Sequence, residues 1–142
     1  MKRIFLIALY IALASCASTK ESKDLFESYN AYSNKMKNNK SNFIIPMLSK
    51  NKRNKIKELG EKEFPVLSGF SSVLYKIESH FQNIKNNIGC LTINGYGKNS
   101  KPIVLSIKYL YEDKNWGVDF VEIYYPDSNK EFQKKGICPS EN

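Results

Sequence analysis

The sequence predicts an α+β domain in which N-terminal helices pack on a curved antiparallel sheet of three to four strands. Three observations carry this expectation. Between Asp24 and Met36 the residues Leu25, Phe26, Tyr29, Tyr32 and Met36 return at the spacing of one helical face. From Ile103 to Glu112, Ile103, Leu105, Ile107, Tyr109 and Tyr111 alternate with the period of a strand. The polar break Glu112-Asp113-Lys114-Asn115 is then followed by the strand-forming run Trp116–Tyr125, which turns the chain back on itself.

Taken in order, the chain opens with Lys2 and Arg3 and then the uncharged apolar run from Ile4 to Ala14. That is the layout of a secretory signal, with the cations held on the cytoplasmic side. A permanent span needs about 20 apolar residues, so a transmembrane anchor fits poorly, and a buried core helix fits the charged flank no better. A plain secretory signal cut after Ala17 is the remaining alternative. The run closes on Leu13-Ala14-Ser15-Cys16, which resembles the lipobox of bacterial lipoproteins. The resemblance implies cleavage before Cys16, a diacylglycerol on its thiol and a third acyl chain on its new amino group. Ala17 and Ser18 stand where an inner-membrane retention signal would show an aspartate, which by the same resemblance points to the outer membrane. One chain binds a membrane marginally and two or three anchor it durably. The organisation expected is therefore signal peptide 1–15, lipidated tether 16–23 and a single domain 24–142.

Residues 16–142 suffice for one domain with a real core. The formal charge is +8, or +6 once Lys2 and Arg3 are gone. Inside a cell that balance would suggest nucleic acid. For an exported protein it suggests an acidic envelope protein, an anionic polymer or anionic lipid, or simply a solvated surface, and no nucleic acid. With Cys16 spent on lipid, Cys90 and Cys138 have one intramolecular pairing open to them, and export permits that disulfide. Neither a Cys-x-x-Cys nor a second ligand cluster accompanies them, so a structural staple is expected rather than a redox or metal pair.

The first helix runs from Asp24, gathers Lys35, Lys37 and Lys40 at its C-terminal end, where the helix dipole favours cations, and stops at Asn38-Asn39. Asn42 to Leu48 is a short apolar piece broken by Pro46. Ser49 caps a second helix, Lys50 to Leu59, ended by Gly60. Its Lys50, Lys52, Arg53 and Lys55 make either a solvated face or a contact for an anionic surface. Phe70, Val73, Leu74, Ile77, Phe81 and Ile84 predict a third helix, although Val73, Tyr75 and Ile77 also fit a strand. His80, the sole histidine, reads as packed or half-exposed rather than catalytic.

Cys90 to Tyr96 predicts a strand, residues 95–100 a loop, and Ile103–Glu112 and Trp116–Tyr125 two more strands. On the last, Trp116, Val118, Phe120 and Tyr124 are expected on one face and Asp119, Val121, Ile123 and Tyr125 on the other. The tail from Asp127 is polar and needs Cys138 to hold it down. Helices followed by a meander ending in Tyr109-Leu110-Tyr111-Glu112-Asp113-Lys114-Asn115-Trp116-Gly117-Val118-Asp119-Phe120-Val121-Glu122 resemble the nuclear-transport-factor-two-like (cystatin-like) superfamily. Asn115 stands where the turn glycine is usual. The resemblance implies a sheet wrapped round its helices, leaving a cone with a ligand-sized mouth.

Tyr109, Tyr111, Trp116 and Asp119 are the candidate pocket residues. An Asp119 enclosed in the cone would have a raised pKa and act as a base; hydrogen-bonded or at the sheet rim, it would be structural. No Gly-x-Ser-x-Gly, His-x-x-x-His, phosphate loop or dinucleotide fingerprint is present, so no cofactor, metal or catalytic residue is expected. Three functions fit: a non-enzymatic envelope binding or scaffold module, a hydrophobic-ligand carrier or enzyme using the cone, and an inhibitor or immunity-type protector binding through the 95–100 loop.

Overall fold

The computed structural model describes residues 24–37, 44–59 and 69–140. The signal segment and tether expected over 1–23 lie outside them. Two α-helices, α1 (Leu25–Lys37) and α2 (Lys50–Leu59), precede an open sheet of four strands. The strands are β1 (Lys76–Lys85), β2 (Ile88–Tyr96), β3 (Pro102–Glu112) and β4 (Asn115–Tyr124), ordered β1-β2-β3-β4 and antiparallel throughout.

Two tight turns set the register. Asn86 and Asn87, at φ 48° and 62°, join β1 to β2, and Asp113 and Lys114, at φ 50° and 64°, join β3 to β4. Two successive left-handed residues turn the chain with the twist that flanking strands need. Asn86, Asn87 and Asp113 are of the types that tolerate that backbone, and Lys114 adopts it beside them without a glycine. Between β2 and β3, Ser100 at φ 58° closes a three-residue loop, its N–H donating to Gly97 O while the Gly97 N–H donates to Lys101 O.

The third helix expected over 70–84 does not form. Phe70–Ser72 is one 3-10 turn, and β1 follows. The alternation that would have marked β1 is weak for two reasons. It is an edge strand with most residues exposed on both faces, so its apolar residues need not alternate. A bulge at Glu78, between the pairs Ile77–Gly95 and Ser79–Asn94, also slips the period by one.

One face of the sheet carries the helices. Leu25, Tyr29 and Tyr32 of α1 are buried against Leu91, Ile93, Leu105, Ile107, Tyr109 and Val118, with Ile44, Leu48, Ile56 and Phe70 closing the cluster. Tyr32 stacks on Phe70 at 4.9 Å, and His80, exposed on β1, stacks on Phe26 at 3.8 Å with its ring within 4° of parallel. Leu48 bridges in parallel to Val118, and the Ser49 N–H donates to Val118 O at 2.8 Å. A Cβ on Gly117 would lie 2.7 Å from Ser49 N, so only glycine lets this segment close the β4 edge.

The facing expected along β4 changes halfway. Tyr109 pairs with Val118 but Lys108 pairs with Phe120, so Asp119 is an extra residue on β4. After this bulge the parity reverses. Trp116, Val121 and Ile123 pack against the core beside buried Val118, while Phe120 and Tyr124 pair with Lys108 and Val104 on the other face.

That second face is crossed by the tail, held by alternate residues of β2. Cys90 is joined to Cys138 by the disulfide, Cα to Cα 4.6 Å. Thr92 Oγ1 accepts the Ile137 N–H at 2.9 Å. Asn94 donates to Gln133 O at 2.8 Å and accepts its N–H at 3.1 Å. Tyr96 packs edge-on to Phe132 at 5.6 Å. Thr92 and Asn94 are fully buried, and the tail supplies the partners such buried groups require. A Cβ on Gly136 would meet Asn83 N and Cys90 O at 2.6 Å, so the tail lies on the strands at backbone distance.

Candidate functional site

The four candidate pocket residues divide between two places. Tyr109 points into the helix-covered core, 1% exposed, with its hydroxyl unpartnered among the described residues. Burial, and then the neighbouring phenols of Tyr29 and Tyr32, push its ionisation above the ordinary tyrosine range. Burial also raises Tyr32, and raises Tyr29 against the opposing pull of its hydrogen bond with Ser33. Trp116 is half-buried with an unpartnered Nε1, its ring 5.0 Å from Tyr111. Tyr109, Tyr111 and Trp116 thus share the core face of the sheet.

Asp119 is elsewhere. The bulge places it 5% exposed at the β4 edge, where Ser49 Oγ donates to Oδ1 at 2.7 Å and Lys108 Nζ stands 3.3 Å from Oδ2. Ser49 Oγ also accepts the Lys52 N–H at 3.2 Å, as a helix-capping serine does. Asp119 thus ties the start of α2 to the sheet, its two oxygens taken up by Ser49 and Lys108.

The basic helix is partly committed. Lys50 Nζ and Arg53 Nη2 reach Asp113 at 3.0 and 3.9 Å, and the Lys50 N–H donates to Glu112 Oε2. Lys52 Nζ lies 5.5 Å over the Phe120 ring. Lys55 is exposed. Three of the four cations therefore dock α2 on the β3–β4 hairpin. Among the described residues no group of three His, Cys, Asp or Glu side chains stands ready for a metal, and no helix is long and apolar enough to cross a membrane.

What the sequence did not single out is the exposed apolar surface, which collects at the two ends of the sheet. At the end where β1 begins and β4 finishes, Tyr75 is 77% exposed, Tyr125 62% and Tyr124 49%, with Ile77 beside Tyr75. The Tyr75 N–H donates to Tyr96 O, and Lys76 Nζ lies 5.9 Å over the Tyr96 ring. Tyr124 OH meets Glu131 Oε2 at 3.0 Å, which holds that phenol above its ordinary ionisation. The 97–101 loop with exposed Lys98 and Lys101 completes this end. At the opposite end, the β1–β2 tip exposes Ile84 and Ile88. The one sequence cue for the tyrosines was the run Tyr124-Tyr125-Pro126, where a strand stops while its apolar residues continue.

Comparison with family models, with curated proteins and with solved structures gives no match to this chain.

Proposed function

We propose that this protein is a lipid-anchored component of the bacterial cell envelope, in the outer membrane, whose domain binds an acidic envelope protein without catalysing a reaction. The observation that carries the reading is the tyrosine-rich end of the sheet, Tyr75, Tyr96, Tyr124 and Tyr125, with Lys98 and Lys101 exposed beside it, while Lys76 is paired with Glu78 at 3.5 Å and Glu131 is held by Tyr124. Tyrosine offers large contact area at small entropic cost and is enriched in protein interfaces, and lysines around it favour a partner of opposite charge. The anchor is read from the lipobox ending at Cys16, and the helix-then-meander likeness to nuclear-transport-factor-two-like proteins enters only through the order of elements.

The test is affinity capture from envelope extracts with the native chain and with Tyr75→Ala/Tyr125→Ala. The proposal expects one acidic protein retained by the native chain and lost with the variant, and weaker retention as salt rises. Equal retention by both chains overturns it. A Cys16→Ser chain that still incorporates palmitate overturns the anchor separately.

A second reading, a carrier of a small apolar ligand, is favoured by the unpartnered Tyr109 hydroxyl and Trp116 Nε1 on the core face. It expects a co-purified small molecule in native mass spectra, lost in Tyr109→Phe.

A further inference from the structure

We infer that the β1–β2 tip, residues 84–88, is the face this domain turns toward its membrane, with Ile84 and Ile88 seated at the headgroup boundary and Lys85 against lipid phosphate. The inference rests on the lipobox reading and adds to it an orientation and a protein–lipid contact. The first observation is where the chain enters the fold. The Leu25 N–H donates to Gln82 Oε1 at 2.9 Å, and a Cβ on Gly89 would touch the Leu25 side chain at 2.8 Å. The start of α1 therefore lies at the tip end of β1, since Gln82 is three residues, about 10 Å, from Lys85. From Cys16 to Asp24 there are eight steps of chain, at most about 29 Å fully extended. The anchor is thus attached nearer this end of the domain than the tyrosine-rich end, which lies about 20 Å further along β1.

The second observation is what the tip presents. Ile84 is 37% exposed and Ile88 40%, one on each face of the hairpin, because Ile84 pairs with Gly89 on the helix side while Ile88 pairs with Leu110 on the tail side. A hollow of about 270 Å³ opens at the same place, lined by Asn83, Lys85, Asn86, Ile88 and Cys90. Its chemistry is an apolar floor edged by amides and one ammonium, which suits a phosphate headgroup and the first methylenes of its chains. The neighbouring turn adds exposed Lys114, while beside it Asp113 pairs with Lys50 and Arg53 and Glu112 accepts the Lys50 backbone N–H. Two isoleucines and two lysines would bind a bilayer weakly in solution. A tether of this length makes the contact intramolecular, at an effective concentration in the millimolar range, so a weak contact is occupied.

The experiment uses the full acylated chain in vesicles of phosphatidylethanolamine and phosphatidylglycerol, in a Trp116→Phe background. Among the described residues Trp116 Nε1 has no partner, so that background removes no hydrogen bond there. Single tryptophans are placed by Ile84→Trp, Ile88→Trp, Tyr75→Trp and Tyr125→Trp, all at exposed positions, and each chain is checked for its disulfide and circular dichroism. With acyl-brominated lipids, emission at 84 and 88 is expected to fall at least twofold, and emission at 75 and 125 to stay within a tenth of its value. Equal quenching at both ends, or none at 84 and 88, in a chain whose intact mass shows the acyl groups, overturns the tip contact and leaves the lipobox standing. An intact mass without acyl groups overturns the lipobox and the tip contact with it.

Discussion

Asp119→Ala separates a positioning carboxylate from a reacting one. The substitution removes the acceptor of Ser49 Oγ at 2.7 Å and the carboxylate 3.3 Å from Lys108. A hydrogen bond to a charged group contributes about 1.5–3 kcal/mol, and breaking a fully buried ion pair costs about 3–5 kcal/mol. The Lys108 side chain is 22% exposed, so its ammonium regains water by a small rotation and the lower part of that range applies. The expected loss is about 2–3 kcal/mol for Asp119→Ala. Asp119→Asn keeps a carbonyl for Ser49 and is expected to lose only about 1 kcal/mol. Urea unfolding reads both: at a slope of about 1.5 kcal/mol/M, Asp119→Ala lowers the midpoint by roughly 1–2 M with the slope unchanged. A double-mutant cycle with Ser49→Ala should give a coupling energy of about 1 kcal/mol or more. An Asp119→Ala midpoint within roughly 0.3 M of the native chain, or zero coupling to Ser49, would refute the assignment of Asp119 as the tie between α2 and the sheet.

Two further outcomes follow from the tail and from the buried phenols. Replacing Cys90 and Cys138 together by serine opens a loop with sequence separation 48, which in the chain-entropy model lowers stability by up to about 4 kcal/mol. Amide exchange should rise at Gln133 and Ile137 before it rises in β3; simultaneous exchange throughout would show that the tail is no separate strap. The raised ionisation of Tyr29, Tyr32 and Tyr109 has a definite sign. Unfolded, these phenols ionise near their ordinary value of 10.0; folded, they hold the proton. Their contribution to stability is complete below pH 10 and is lost as the pH rises above it. In an alkaline titration their absorbance change near 295 nm should coincide with loss of circular dichroism, and Tyr109→Phe should shrink that shared step by about a third. An undiminished step refutes the burial argument. Because the Tyr109 hydroxyl has no partner among the described residues, the same variant should cost under about 1 kcal/mol.

Much of the fold was legible because one-sided burial writes its period into a sequence. Leu25, Tyr29 and Tyr32 recur as they do because a single face of α1 meets the sheet, and Leu105, Ile107 and Tyr109 alternate on the β3 face that meets the helices, while Val104 and Ser106 are buried on its other face. Ser49 before Lys50 and the polar break at Asp113-Lys114 were equally readable, since capping and turning are decided by a few adjacent residues. The candidate site was legible in part: Tyr109, Tyr111 and Trp116 do share the core face, and Asp119 does not join them.

What only the tertiary structure decided depends on partners far along the chain. β1 is a strand because β2 offers it a backbone edge, although Phe70 to Ile84 spaces its apolar residues like a helix. The parity of β4 turns on one unpaired residue, Asp119, and that count of two against one exists only in the pairing with Lys108 and Tyr109. The tail's course depends on Thr92 and Asn94, 45 and 39 residues before the positions they hold. Local periodicity records which side of an element is dry; which element makes it dry is set by chain segments that meet only on folding.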